Sequence, residues 1–332
     1  MRVYYPAYYK EFRCIAAACP DSCCKEWTVD VDDASAAYYR SLEGELGDRL
    51  RQVLKDTEEG TVMQIEAGRC PMWRRDGLCR IQAELGHDAL CKTCREFPRL
   101  RHDYGDFVEL GLEMSCPEAA RLILENGDCS FCTELHRGGE APEYETALIE
   151  ALLESREKVL DLLKNRAYSV PERLAVMLLY GHAVQAQLDG GEGMEMDPRS
   201  CLAEAKKYAQ KGDIRSLLAF FKSLEILSKD WERRLEGGGE AIIWDEKLSA
   251  VAQYMTGRYW LQAVADYDLI SRVKLTVAAC VLIAALDGCI IEKAQQFSKE
   301  IENDPDNVEK ILDGAYTDPA LTDVNLLSLL LG

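Results

Sequence analysis

Cysteine is the residue whose number and spacing carry chemistry in this chain. There are 14 cysteines in 332 residues, and eleven fall between Cys14 and Cys132. Cys14, Cys19, Cys23 and Cys24 run C-x4-C-x3-C-C, and Cys70, Cys79, Cys91 and Cys94 run C-x8-C-x11-C-x2-C. Cys116 stands in the segment SCPEAARLIL, and Cys129 and Cys132 follow as C-x2-C. Thiolates ligate zinc or the iron of iron–sulfur clusters, and both need a full set of sulfur donors around a small volume. With only four histidines, and none at finger spacing, an all-thiolate site is the expectation. A disulfide framework is the competing reading, but a chain of this length does not need such cross-links. Cys201, Cys280 and Cys289 lie in helical patterns among Leu, Val and Ala and read as buried small hydrophobes.

Spacing leaves zinc and iron–sulfur both open. The paired C-x2-C knuckles of common zinc sites are absent, and so are the usual ferredoxin runs. The C-x3-C-x2-C spacing of ordinary radical enzymes that use S-adenosylmethionine is absent too, because Cys23 is followed directly by Cys24. One feature leans towards a cluster. Residues 69–101 carry Arg69, Arg74, Arg75, Arg80, Lys92, Arg95, Arg99 and Arg101 against Asp76, Glu84, Asp88 and Glu96, a local excess of four positive charges. Such cations can keep several thiols ionised, or hold a carboxylate or phosphate of a small ligand. Solvated arginines on a helix face are the plainer alternative.

The elements that must position these residues divide by composition. Residues 1–33 read as loops with at most short strands, of which WTVDV (27–31) alternates best. Four-residue recurrence predicts a helix over 34–58, a short helix is expected over 79–86, and 105–115 reads as a strand. Pro117 suits the first turn of a helix. The Gly-containing stretch 129–142 is the expected linker between a Cys-rich region, 1–128, and a helical domain, 143–332, available for substrate or partner binding. Further helices fit 171–188, 199–211, 213–235, 245–266, 268–289, 291–302, 306–313 and 322–331. The fold class expected is mainly α: an irregular, metal-binding, Cys-rich N-terminal region packed on an irregular α-helical bundle.

Composition narrows the function classes. Lys and Arg total 39 against 58 Asp and Glu, for a net charge of −19. That argues against general binding to nucleic acid or an anionic membrane. The longest uncharged apolar run, 275–286, is too short to span a bilayer and reads as a buried helix. The first residues, MRVYYPAYYKEF, carry no signal-peptide pattern, so a cytoplasmic setting is expected. No dinucleotide-binding glycine motif follows a strand, and there is neither a P-loop nor a nucleophile elbow.

The segments CIAAACPDSCCKEW, CPMWRRDGLCRIQAELGHDALCKTCREFPR and SCPEAARLIL, in that order, resemble the flagellin lysine-N-methylase (FliB-like) family. That family is related to small cysteine-rich proteins described as zinc- or iron-chelating. The resemblance covers roughly residues 4–125. It implies methyl transfer from S-adenosylmethionine to lysine amines of flagellin, with a 4Fe-4S cluster. Under it, Cys70, Cys79 and Cys94 match the most characteristic cysteines, and Cys14, Cys19, Cys23 and Cys24 match the N-terminal group. Cys116 matches the third element, and Cys91 stands where the family carries a small non-cysteine residue. Arg95 and Arg99 are then candidates for supporting cluster or cofactor. A zinc-thiolate scaffold that recruits a protein partner is the alternative.

Nucleophilic methylation of lysine needs a neutral amine, whose ordinary pKa of about 10.4 demands burial or a nearby base. Tyr4, Tyr5, Tyr8, Tyr9, Glu109 and Glu113 can supply such groups, against the plainer roles of packed aromatics and solvated carboxylates. A cluster opens a second route, in which one iron holds the amino and carboxylate groups of S-adenosylmethionine and donates an electron.

Overall fold

The computed structural model describes residues 1–25, 27–136, 144–191 and 195–332. It is a mainly α-helical bundle with two small sheets. The strands are β1 (Arg2–Pro6), β2 (Val29–Val31), β3 (Leu54–Thr57), β4 (Gly60–Met63), β5 (Arg99–Asp103), β6 (Phe107–Leu112) and β7 (Phe131–Leu135). One sheet has the order β5-β6-β1-β7 and the other β2-β4-β3. β1 runs parallel to β6, with Val3 opposite Val108, and antiparallel to β7, with Tyr4 opposite Thr133.

The chain forms two compact units. Met1–Phe12, Arg101–Ser115 and Ala119–Gly332 make a helical unit, and Arg13–Leu100 with Cys116–Glu118 make a cysteine unit. This differs from a division at 128 and 143. The N-terminal strand and the 101–115 segment join the helices, because β1 finds its partners in β6 and β7. The expected linker, 129–142, contains β7 instead, and its residues 137–142 lie outside the described residues.

In the helical unit, local signals start the helices where the sequence places them. Ser169 and Glu172 form a reciprocal capping box before Val170–Leu188, with Pro in the first turn. Asp197 and Asp304 accept backbone N–H groups at the starts of Pro198–Tyr208 and Pro305–Thr317. The helix Ile270–Ala285 is buried at every position. It packs against Val170–Leu188, Lys247–Tyr259, Pro305–Thr317 and Asp323–Leu331. Gly181 allows one of these approaches, since a Cβ there would meet Val273 at 3.0 Å. Each fully buried Leu, Ile or Val contributes about 1.5–3 kcal/mol relative to exposure, so this helix anchors the unit. Among the described residues, no helix is long and apolar enough to cross a membrane.

Two expected helices are broken. The stretch 213–235 splits into Ile214–Lys222 and Lys229–Gly237. Ser228 caps the second by accepting from Trp231 N, and the Glu300 carboxylate accepts Leu227 N at 2.8 Å. The stretch 34–58 becomes Asp33–Ser41, Gly44–Val53 and strand β3. The corner between the helices requires glycine at position 47, where a Cβ would lie 2.1 Å from the Leu42 carbonyl oxygen.

In the cysteine unit, β3 and β4 form a hairpin with Leu54 opposite Met63, and β2 pairs on the other side of β4. Its core holds Val29, Val31, Tyr39, Leu50, Val53, Leu54, Met63, Met72 and Ile81, and also Cys70 and Cys91.

Candidate functional site

The cysteine unit brings six thiols into one neighbourhood. Cys23 interacts with Cys24, and Cys24 with Cys70. Cys70 Sγ in turn lies 3.4 Å from the thioether of Met63. Cys94 donates to Cys91, and Cys79 is within electrostatic reach of Cys23 and Cys91. Cys94 closes the group through its interactions with Cys23 and Cys24. Cys23 is exposed as a residue, yet its sulfur lies among the other five. Among the described residues, no group of three or more Cys, His, Asp or Glu side chains is placed so that it could hold a metal ion, so the expected all-thiolate centre is not apparent.

Short elements hold each sulfur. Cys79 and Cys91 stand at the N-caps of the helices Arg80–Leu85 and Lys92–Glu96, and neither side chain makes a capping hydrogen bond. The Asp32 carboxylate fastens the second turn. It accepts Ser35 N at 3.0 Å and Lys92 N at 2.8 Å, joining the starts of two helices. Tyr39 is wholly buried, donates to the Ala89 carbonyl at 2.7 Å, and stands near Cys91 and Cys94.

The electrostatics set two thiols apart from the rest. The bond from Cys94 holds Cys91 below the ordinary thiol range and pushes Cys94 up, an effect that burial reinforces. The bond from Cys24 likewise holds Cys70 down. Cys23 is raised by donating to Cys24 and by burial. Cys24 gains acidity from Cys23 but is pushed up to about 12 by its bond to Cys70 and by burial. Burial raises Cys79. Four of the six thiols are thus shifted up and two down.

The arginines of 69–101 are engaged elsewhere. Arg74 pairs with Asp76, Arg80 with Glu84 and Glu45, and Arg101 with Asp103. Arg69 lies over the Trp73 ring at 4.0 Å, and half-buried Arg95 reaches the Leu90 carbonyl at 3.4 Å. Arg99 is exposed at the start of β5. The strongest influences on the thiols come from burial, from one another and from nearby backbone groups.

The remaining sequence candidates scatter. Exposed Cys14 accepts Ala16 N at 3.4 Å, and Cys19 sits near Cys14, Cys23 and Asp21, at the margin of the group. Cys116 is buried at the head of Pro117–Asn126. Tyr4 packs edge-on to Phe107, and Tyr5 donates to Glu134 at 2.8 Å. Tyr8 is buried and hydrogen-bonded to Cys129. Glu109 is not solvated. It is buried and takes a two-pronged ion pair from Arg156, with one bond of 2.9 Å. Cys201 and Cys280 are buried as expected, but Cys289 is exposed, because it stands at the N-cap of Ile290–Phe297 rather than within a helix.

The sequence reading missed Met63, Tyr39 and Asp32 beside the thiols. It also missed a buried polar group in the helical unit, built from Arg258, Tyr254 and Glu302. The signal for the latter was present: Arg258 interrupts a helix whose other residues are nearly all buried.

The fold is a mainly helical bundle with two small sheets, and one of its two units is rich in cysteine. No family model matches the chain, and no solved structure matches it. Known proteins do. The lysine-N-methylases of Salmonella typhimurium and Salmonella choleraesuis are each 24% identical over 294 residues, covering 83% of this chain and 71% of theirs. The flagellar biosynthetic protein FliU of Salmonella muenchen is 32% identical over 130 residues, 37% of this chain and 77% of its own length. The chain belongs to the family of flagellar proteins that includes FliU, and it is homologous to the lysine-N-methylases.

Proposed function

We propose that this protein is an S-adenosylmethionine-dependent protein-lysine N-methyltransferase acting on flagellin or a similar protein, with a thiolate-held 4Fe-4S cluster. The homology to lysine-N-methylases over most of the chain supports the methylase activity. The convergence of six thiols in the cysteine unit is the observation that carries the cluster. The residues fit such a group. The donor set is all sulfur, and two of its members, Cys79 and Cys91, stand at helix N-caps. Cys23, Cys24, Cys70, Cys79, Cys91 and Cys94 are the set from which ligands would be drawn, with Cys14, Cys19 and Cys116 outside it. When bound, the cluster supplies one-electron chemistry and a Lewis-acidic iron. The protein's own part is to exclude water from the sulfurs and to fix them through short helix starts. A cytoplasmic setting, where thiols stay reduced, belongs to this reading.

The alternative is a zinc-thiolate scaffold without catalysis, which the same donor set would also serve. The test is transfer of labelled methyl from S-adenosylmethionine to coexpressed flagellin by anaerobically purified protein. Methyl-lysine formed by the native protein and lost in Cys70→Ser supports the reading. A colourless zinc protein that transfers no methyl group overturns it.

A further inference from the structure

A sulfur contact of a different kind lies in the core of the cysteine unit. Met63 closes β4, opposite Val29 on one neighbouring strand and Leu54 on the other. Its thioether accepts the Cys70 thiol, with the two sulfurs 3.4 Å apart. Both side chains are buried, Met63 at 3% exposure and Cys70 at 7%. Cys24 is tied to the same place through the backbone, because Cys70 N donates to the Cys24 carbonyl at 2.7 Å. The Cys24 side chain is half-buried against the core that contains Cys70 and Met63.

Packing alone asks for less than this. The cross-strand neighbours of Met63 are aliphatic, and a leucine would fill nearly the same volume. Methionine instead sets a polarisable thioether against a thiol, and a second thiol is bound to the first through its backbone. Two thiols and a thioether are a soft donor set. It excludes calcium, magnesium and manganese, which prefer oxygen. Zinc and iron–sulfur clusters call for a fuller set of ligands, in which a thioether has no ordinary place. Among the described residues, no group of three or more Cys, His, Asp or Glu side chains is placed to hold a metal ion. Monovalent copper asks for less. It is satisfied by two or three soft sulfurs, and mixed thiolate and thioether donors select it.

We propose that Cys24, Cys70 and Met63 form a binding site for a single Cu(I) ion, held by two thiolates and one thioether. The two thiol protons pass to solvent on binding, and no oxidation state changes. Met63 lies deepest and closes the site away from water, while half-buried Cys24 gives the ion its way in. Cys24 and Cys70 also belong to the set from which cluster ligands would be drawn, so copper and cluster are alternative occupants. The site does not rest on the methylase reading, in which Met63 has no part.

The test is anaerobic titration of the reduced, metal-free full chain with Cu(I) against the chelator bathocuproine disulfonate, with Zn(II) titrated separately. Uptake of a single tightly held Cu(I) is expected, with sulfur as its only neighbour by X-ray absorption. Met63→Leu keeps the core volume and should melt as the native chain does. It should nevertheless weaken Cu(I) by at least about tenfold, since even partners outside a metal's first layer of ligands are worth that much. Zn(II) uptake should be the same in both. Cys24→Ser and Cys70→Ser should abolish Cu(I) binding, and Cys201→Ser should leave it unchanged. Failure of the native chain to take copper from the chelator overturns the proposal. So does a Met63→Leu variant that binds copper as tightly as the native chain, because the ion would then be held by thiols alone. Copper binding that survives when no methyl transfer is found would leave this inference standing while the methylase reading falls.

Discussion

The two units of the molecule solve the problem of a buried interior in opposite ways. The helical unit wraps a wholly buried apolar helix, and its buried ion pair is matched internally, as in Glu109 with Arg156. The cysteine unit has helices of five to ten residues and a three-stranded sheet, and fills its centre with thiols that mostly retain their protons. A unit this small buries little apolar surface, and a bound metal centre is the usual supplement. On the proposed reading, stability is intrinsic to the helical unit and conditional on a ligand in the cysteine unit.

Removing metal, or one of its ligands, should therefore strike one unit alone. Cys70→Ser or Cys79→Ser is expected to abolish metal binding and lower the stability of the cysteine unit by about 4 kcal/mol, the value for a site filled at a thousand times its Kd. Hydrogen exchange should show residues 70–96 losing protection while 270–285 keep theirs. Equal loss in both units would erase the contrast.

The helical unit is broken by a different cut. Arg156→Met leaves the Glu109 carboxylate buried and unpaired, which should cost about 3–5 kcal/mol by thermal unfolding. Adding Glu109→Leu should restore most of that loss. A single variant as stable as the native chain would show that this pair is not held in a dry interior.

Spacing grouped Cys70, Cys79, Cys91 and Cys94 in the sequence, because cysteine chemistry is tied to residue type. It did not show which sulfurs lie beside one another, nor that the arginines of 69–101 turn to other partners. Those facts depend on which way short elements face. Strand β1 was equally hidden, since β6 and β7 lie far along the chain and no local pattern records the pairing. The capped helices were easier to read, because Ser169, Asp197 and Asp304 carry their signal within one turn. Arg156 sat in plain view on the apolar stripe of Thr146–Lys164, where a lone arginine asks for a buried partner.

The smallest expected effect concerns how the Cys91–Cys94 turn is fastened. Asp32→Ala removes the acceptor for Ser35 N and Lys92 N and should cost about 1 kcal/mol. Those N–H groups hold the Asp32 carboxyl down to about 2. Its contribution should thus be complete above the unfolded value near 4 and fade as pH falls through 2, so native and variant proteins should converge in acid. A difference that persists at low pH would assign the role to something other than the carboxylate.

The most direct measurement is the content of metal and acid-labile sulfide in the anaerobically purified protein. About four iron atoms and four sulfides per chain are expected, lost in Cys70→Ser or Cys94→Ser and unchanged in Cys201→Ser. Absence of metal, with the six sulfurs joined in stable disulfides, would contradict the account.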